Sequence, residues 1–440
     1  MRGAVATSAF ARVSRLASLP PVHAAFRWFH LQEKRVMEWQ RELVAIAAPP
    51  FGERLRAEWL AERFRELQLQ EAGIDAEGNV VGALRSGQSD SPCILLSAHI
   101  DTVFPGDTLI QPVLEGHHLT APGSCDNGAG VAALLAVAAA LAGCGGSLPA
   151  DVVFVGNVGE EGDGNLRGVR YLYEGSPWRE RISAHVVLDG AGTAMAVTRA
   201  LGSRRYLVTL RGPGGHSWTD AGTPNPIVAM SHAISALSEV DLPEAPRTTL
   251  NVGTIEGGSS VNSIPEWAAA RFDLRSLEAG EITRLEVALR HSVQDATQAA
   301  NERPGLGERR RGARNSLEFE IQEIGNRPAG ELAPNAPLLE ALRAVDRHLG
   351  IHTDERAAST DANLPLSLGI PALTMGAGGR GGGVHTRNEW YDSRGRELAL
   401  KRILLLLLSG LALPGDLTSE PNTVDRPRVA EDGNRGNDLY

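Results

Sequence analysis

Lysine is almost absent from this 440-residue chain: only Lys34 and Lys401 occur, and arginine supplies the other basic side chains. A Schiff-base or pyridoxal mechanism needs a lysine amine inside a folded site. Lys34 precedes any recognisable core and Lys401 falls on a C-terminal helix, so that chemistry is nearly excluded. The chain also lacks GxxxxGK followed by Ser or Thr, and it lacks GxSxG, which weakens ATPase and α/β-hydrolase readings. Cysteine is scarce. Cys93, Cys125 and Cys144 form no CxxC pair and read as reduced thiols of a cytoplasmic protein. No apolar run is long enough to span a bilayer, Ile403 to Leu408 being far too short, so no membrane partner is expected. Nor is positive charge in excess: the net charge of −10 argues against nucleic acid.

The length allows two domains with substantial cores. Met1 to Leu19 carries Arg2, Arg12 and Arg15 among small residues without a long apolar stretch, which argues against a secretory signal and leaves an amphipathic targeting segment open. Two amphipathic helices are predicted over Trp28 to Ala47 and Glu53 to Leu67, split by Pro49-Pro50-Phe51-Gly52. Strands follow around Gly73 to Asp75, Val80 to Leu84 and Ile94 to Ala98. Val131 to Leu141 is entirely Ala, Leu and Val, a helix buried on most sides. Asp151 to Val158 and Ala184 to Leu188 read as buried strands. From Arg204 the pattern changes. Strands at Arg204 to Arg211, Thr248 to Ile255, Trp267 to Arg275 and Leu317 to Ile324 alternate with helices at Asn225 to Val240 and Ala279 to Ala300. That βαββαβ order is the ferredoxin-like plan, inserted at about 203–327. Arg309-Arg310-Arg311 reads as a solvated turn before its last strand. Helices at Pro337 to Leu349 and Ser393 to Leu411 close the main domain, with a strand at Ile370 to Met375 between them. Gly376 to Gly383 reads as a flexible loop presenting His385, and Pro414 to Tyr440 as a disordered tail.

Chemistry-bearing residues recur at strand ends. His99 and Asp101 close the Ile94 strand and fall on one side of it by alternation. A neutral imidazole is a good metal ligand, and a neighbouring carboxylate can hold its tautomer. Alone, His-x-Asp is weak. Asp126 opens the apolar helix, where an N-cap is an equal reading. Glu160-Glu161 and Asp189 each follow a buried strand, where a solvated turn is the ordinary reading. Together they are hard to explain as turns, because ligands just outside the carboxyl ends of strands are where α/β sheets place their sites.

His99-Ile100-Asp101, Asp126-Asn127-Gly128, Glu160-Glu161-Gly162, Asp189 and His385 resemble the motifs of the co-catalytic dizinc exopeptidase and amidohydrolase family. That family includes peptidase T, glutamate carboxypeptidase, carnosinase, aminoacylase-1 and succinyl-diaminopimelate desuccinylase. The resemblance covers roughly 35–412. It implies a mixed-sheet α/β catalytic domain at 31–202 and 328–412, an inserted ferredoxin-like dimerisation lid at 203–327, an N-terminal extension at 1–30 and a tail at 413–440. It implies two zinc ions, with cobalt or manganese as possible substitutes: His99 and Asp189 on one, Glu161 and His385 on the other, Asp126 bridging. Asp101 would orient His99, and Glu160 would be the general base. Arg211-Gly212-Pro213-Gly214-Gly215-His216-Ser217 resembles the lid motif whose His serves the neighbouring subunit of a homodimer. Asn262 and Arg275 resemble lid residues that bind a substrate carboxylate, a task suited to the guanidinium fork.

Asp rather than Glu at 189 is typical of the family's peptidases that need a free α-amino group. The leading expectation is therefore a di-, tri- or aminopeptidase acting on short peptides. The alternative is an N-acyl-amino-acid amidohydrolase or a carboxypeptidase. A non-catalytic binding relative would have lost Glu160 or a ligand, and none is missing.

Overall fold

The all-apolar stretch after Asp126 meets the fate its composition demands: every residue from Gly128 to Ala140 is buried, and the main core is assembled around it. The computed structural model describes residues 8–88, 91–143, 148–302 and 316–411. Cys144, the Arg309 to Arg311 run and the tail at 413–440 lie outside the described residues.

Four helices lead the chain: α1 (Ala9–Ala17), α2 (Pro20–Leu31), α3 (Glu33–Val44) and α4 (Arg54–Glu66). The single helix expected from Trp28 to Ala47 is in fact two. Gln32 leaves the helical basin at φ −104°, so α2 ends before α3 begins. Of the residues expected as an extension, those from Ser8 onward also fold. Val13 of α1 and Phe29 of α2 are buried in the main core.

Next come β1 (Gln70–Ile74), β2 (Val80–Leu84), β3 (Cys93–His99), β4 (Val113–Glu115), β5 (His118–Thr120), α5 (Gly128–Gly143), β6 (Asp151–Asn157), α6 (Arg167–Glu174), β7 (Ile182–Leu188) and β8 (Met195–Ala200). The chain then enters the inserted unit: β9 (Gly202–Arg211), β10 (Gly215–His216), α7 (Pro226–Ser238), β11 (Thr248–Gly257), β12 (Ser263–Ile264), β13 (Trp267–Ser276), α8 (Ala279–Glu302) and β14 (Glu318–Arg327). It returns through β15 (Gly330–Glu331), α9 (Pro337–Leu349), β16 (Asp354–Ala358), α10 (Asn363–Ser367), β17 (Ala372–Met375), β18 (Arg380–Gly382), β19 (Trp390–Asp392) and α11 (Arg396–Leu411).

The main sheet is mixed, in the order β1-β2-β6-β3-β7-β17-β8-β15, with β16 also pairing β8. Its central strands β6, β3, β7 and β17 run parallel, so their carboxyl ends share one edge. Burial on both faces explains why they read as continuous apolar runs. Arg402 of α11 is fully buried and donates Nε to Asp346 Oδ1 of α9 at 2.6 Å, satisfying charge within the helical layer.

The inserted unit is an antiparallel sheet in the order β11-β13-β9-β14, with α7 and α8 packed on it. This is the ferredoxin-like βαββαβ arrangement. Tyr206, Val208 and Leu210 alternate inward from β9 against Leu285, Leu289 and Val293 of α8, forming a core distinct from the main one.

The glycine-rich stretch before His385 corrects an expectation. It contains β18, which pairs with β19 in a four-stranded sheet β18-β19-β5-β4. The glycines serve close packing: a Cβ on Gly376 would lie 2.5 Å from the Ala191 carbonyl oxygen, and one on Gly381 would lie 2.3 Å from Cys125 Sγ. Cys93 and Cys125 are buried and unpaired. Among the described residues, no helix is long and apolar enough to cross a membrane.

Candidate metal centre

Three of the parallel strands, β3, β6 and β7, end at side chains with chemistry. His99 is the last residue of β3, Glu160 and Glu161 lie three and four residues beyond β6, and Asp189 directly follows β7. Asp126 comes from the loop that opens α5, and His385 from the loop between β18 and β19. Three groups result, each with donor atoms within 4.8 Å of one another: His99, Asp126 and Asp189; Asp126, Glu161 and His385; and His99, Glu160 and Glu161.

Asp126 lies between the two imidazoles. Its Oδ1 is 3.1 Å from His99 Nε2 and its Oδ2 is 3.1 Å from His385 Nε2. Asp189 Oδ1 stands 3.8 Å from His99 Nε2, and Glu161 Oε1 stands 3.1 Å from His385 Nε2. One carboxylate thus presents an oxygen to each of two donor groups of similar composition.

These contacts set the local protonation equilibria. Hydrogen bonding to Asp126 raises His385 to about 9, with Glu161 adding to it against burial. Burial opposes protonation of His99, but hydrogen bonds to Asp101, Asp126 and Asp189 outweigh it and raise the ring well above its ordinary value. Burial pushes Glu161 up to about 7, and the charges of Glu160 and Asp126 add to this against His99. Burial likewise raises Glu160, against the guanidinium of Arg327. A cluster this rich in carboxylates calls for cations.

Asp101 meets His99 just beyond the end of the strand. β3 ends at His99, and Ile100 donates its N–H to the Asn157 carbonyl, continuing the ladder with β6. The Asp101 carbonyl oxygen lies 3.2 Å from His99 Nδ1 and its Oδ1 3.5 Å away. The same carboxylate accepts the backbone N–H groups of Glu160 at 3.1 Å and Glu161 at 2.8 Å, so one buried acid ties two ligand-bearing strand ends together.

Three supporting residues escaped the sequence reading. Glu389, wholly buried, accepts the N–H groups of Gly123 at 2.9 Å, Cys125 at 2.7 Å and Asp126 at 2.7 Å, clamping the loop that carries Asp126. Asn127 donates to the Leu188 carbonyl at 2.8 Å and accepts from Gly190 N at 3.2 Å, which fixes the Asp189 turn against α5. Arg327 donates Nη1 to Glu160 Oε1 at 2.6 Å. Asn127 lies in the Asp126-Asn127-Gly128 motif, but the motif alone does not disclose its role, and the sequence carries no local signal for Glu389 or Arg327, because their partners are remote in the chain.

The inserted unit places its three candidates at two ends. His216 and Asn262 lie together: β10 pairs with β12, and Ser217 N donates to the Asn262 carbonyl at 3.0 Å. Both are exposed, and His216 Nδ1 accepts from Trp218 N at 3.2 Å. Arg275 sits at the other end of β13, opposite Ser203, with Nε donating to Asp273 Oδ2 at 2.6 Å.

A two-domain α/β architecture gathers nitrogen and carboxylate donors at the strand ends, the donor set of a metal centre. The match to known proteins makes the class specific: the model of Peptidase family M20/M25/M40 matches residues 95–408, and the chain belongs to that family. A probable carboxypeptidase of Aspergillus oryzae is 27% identical over 293 residues, 59% of this chain and 66% of the relative. The chain therefore spans just under two thirds of that relative's length. In structure it is similar to the aminopeptidase PepT of Bacillus cereus, with a TM-score of 0.67 at 19% identity over 86% of this chain and 99% of PepT. It is also similar to the YXEP protein of Bacillus subtilis, described as a dinuclear metal-binding peptidase of the M20 family, with a TM-score of 0.61 at 18% identity over 86% of this chain and 98% of that one. At these identities the structural likenesses show a shared fold.

The Glu389 clamp yields a prediction. Glu389→Gln replaces one accepting oxygen with a donor that faces backbone N–H groups, loosening Asp126 without removing a metal-binding atom. Metal affinity should fall about 10- to 100-fold, the usual cost of a lost supporting contact. Titration of metal-stripped protein with zinc reads this directly, and an unchanged affinity would show that the loop holds its shape without Glu389.

Proposed function

We propose that this chain is a zinc-dependent exopeptidase that hydrolyses an amide bond in short peptides bearing a free α-amino group. One observation carries the reading: Asp126 offers one oxygen toward His99 and the other toward His385. His99, Asp126 and Asp189 would hold one ion, and Asp126, Glu161 and His385 the other. Mixed imidazole and carboxylate donors suit zinc, and manganese or cobalt accept the same set. The third donor group includes Glu160, whose Oε1 is held by the Arg327 guanidinium; by resemblance it serves as base rather than ligand. When bound, two such ions supply Lewis acidity toward the scissile carbonyl and toward a water.

The chain's own residues do the rest. Glu160 takes the proton of the attacking water and passes it to the leaving amine. Asp101 holds His99 with its proton on Nδ1, leaving Nε2 free to ligate. Arg275 sits at the end of its sheet that joins the main domain, where its fork would read a substrate carboxylate. His216 and Asn262 lie at the separate β10–β12 pair, beyond the far end of that sheet, whose β13 runs eight residues from Arg275 to Trp267, or roughly 26 Å at strand rise. That separation favours service in the site of a second copy, so the unit at 203–327 would be a dimerisation lid.

Asp189 favours a peptidase that needs a free amine, by resemblance to such family members. The Aspergillus relative, described as a probable carboxypeptidase, favours a second reading: a carboxypeptidase or N-acyl deacylase with the same catalytic groups. Free and N-acetylated di- and tripeptides separate the two. With zinc, manganese or cobalt restored, the free peptides should be the faster substrates, and cleavage of only the blocked ones would replace the first reading with the second. Glu160→Gln should retain metal and lose about 10²–10⁴-fold in turnover. Near-normal activity in that variant would remove Glu160 from the mechanism.

Sharing of the lid histidine has its own test. His216→Ala and Glu160→Gln subunits, each inactive alone, should complement after subunit exchange. One site of each mixed dimer then has both groups intact, and activity should approach about half that of wild type under two-fold symmetry. No recovery despite demonstrated exchange would place His216 in its own chain's site or outside the chemistry.

A further inference from the structure

Arg327 is the last residue of β14, the strand by which the chain leaves the inserted unit, yet its side chain serves the main domain. Nη1 donates to Glu160 Oε1 at 2.6 Å, and Nη2 donates to the Glu160 carbonyl oxygen. Both residues are buried. A guanidinium held on the backbone and on the carboxylate of one residue fixes the torsions between them, a task that a lysine's single charged point does less well. Among the described residues only Oε1 accepts a side-chain hydrogen bond, so Oε2 remains to take a proton.

Neighbouring contacts strengthen the same joint. Asn326 N donates to Asn165 Oδ1 at 2.8 Å, Arg170 Nη2 donates to the Asn326 carbonyl, and Arg205 Nη1 reaches the Gly162 carbonyl at 3.5 Å. Apart from Ser359, whose Oγ lies 3.5 Å from Arg327 Nη1, the main-domain partners in this set lie between Glu160 and Arg170, on the segment that carries Glu160 and Glu161. The inserted unit is therefore keyed to the acids of the centre at the point where its last strand ends.

We propose that Arg327 is the positioning residue for Glu160, and that through it the seating of the inserted unit on the main domain sets where that carboxylate stands. The inference rests on the reading of Glu160 as general base. A base must stand within hydrogen-bond reach of the proton it removes. A displacement of about 1 Å can cost about 100-fold in rate. A carboxylate on a three-torsion side chain, freed from the guanidinium, would lose that placement. A merely structural ion pair would change stability and leave the chemical step alone.

The test measures kcat, KM and metal content for Arg327→Met and Arg327→Lys, each alone and in the Glu160→Gln background. Arg327→Met should lower kcat by up to about 100-fold, leave KM near wild type and keep the full metal complement. Arg327→Lys should fall between it and wild type. In the Glu160→Gln background neither substitution should lower the residual rate further, because a residue acting through Glu160 has nothing left to act on. Should the methionine variant not fold, the lysine variant carries the same comparison. Wild-type kcat in both variants would overturn the proposal, as would an equal proportional loss in the two backgrounds or a loss of metal. Full activity of Glu160→Gln alone would instead remove the general-base reading, a result distinct from any of these.

Discussion

The site depends on one carboxylate having two neighbours. Asp126 sits between His99 and His385 because three separate pieces of chain converge on it: the end of β3, the mouth of α5 and the loop leading into β19. None of the three would place it alone. Glu389 holds the Asp126 loop by its backbone, Asn127 locks that loop to the end of β7, and the packed glycines of β18 bring His385 across the top. Burial makes the arrangement costly for bare carboxylates and rewards any cation that enters.

The inserted unit contributes on two scales. Its near end is fastened to the Glu160 segment through Arg327 and Asn326, which brings the inserted unit to bear on Glu160. Its far end presents His216 and Asn262 on an exposed surface at a distance suited to another copy. Under the reading proposed for this chain, the inserted unit would link the local site to that of a second copy, with the β10–β12 pair at one end and Arg327 at the other. That link would make substrate capture and chemistry interdependent.

Much of this was legible in the sequence because its signals are local. A buried strand announces itself by a run of apolar residues, and an acid directly after it falls at the sheet edge; Asp189 after Leu188 is the plainest case. The inserted unit was legible because β9 alternates with period two and α8 repeats with the helical period. What stayed hidden depends on contacts between remote residues. Glu389 meets Asp126 across 263 positions and Arg327 meets Glu160 across 167, and no local pattern encodes either. The stretch from Gly376 to Gly383 read as flexible because glycine permits freedom; here it permits close approach instead, since the Ala191 carbonyl leaves no room for a Cβ. The break at Gln32 was missed for the opposite reason: no proline or glycine marks it.

Metal stoichiometry in Asp126→Ala tests the shared carboxylate most directly. Equilibrium dialysis against zinc, followed by elemental analysis, should find two tightly held ions per wild-type chain. In the variant both should be weakened, since two cations would stand close together without the anion between them. Two ions held in Asp126→Ala as tightly as in wild type would contradict the account.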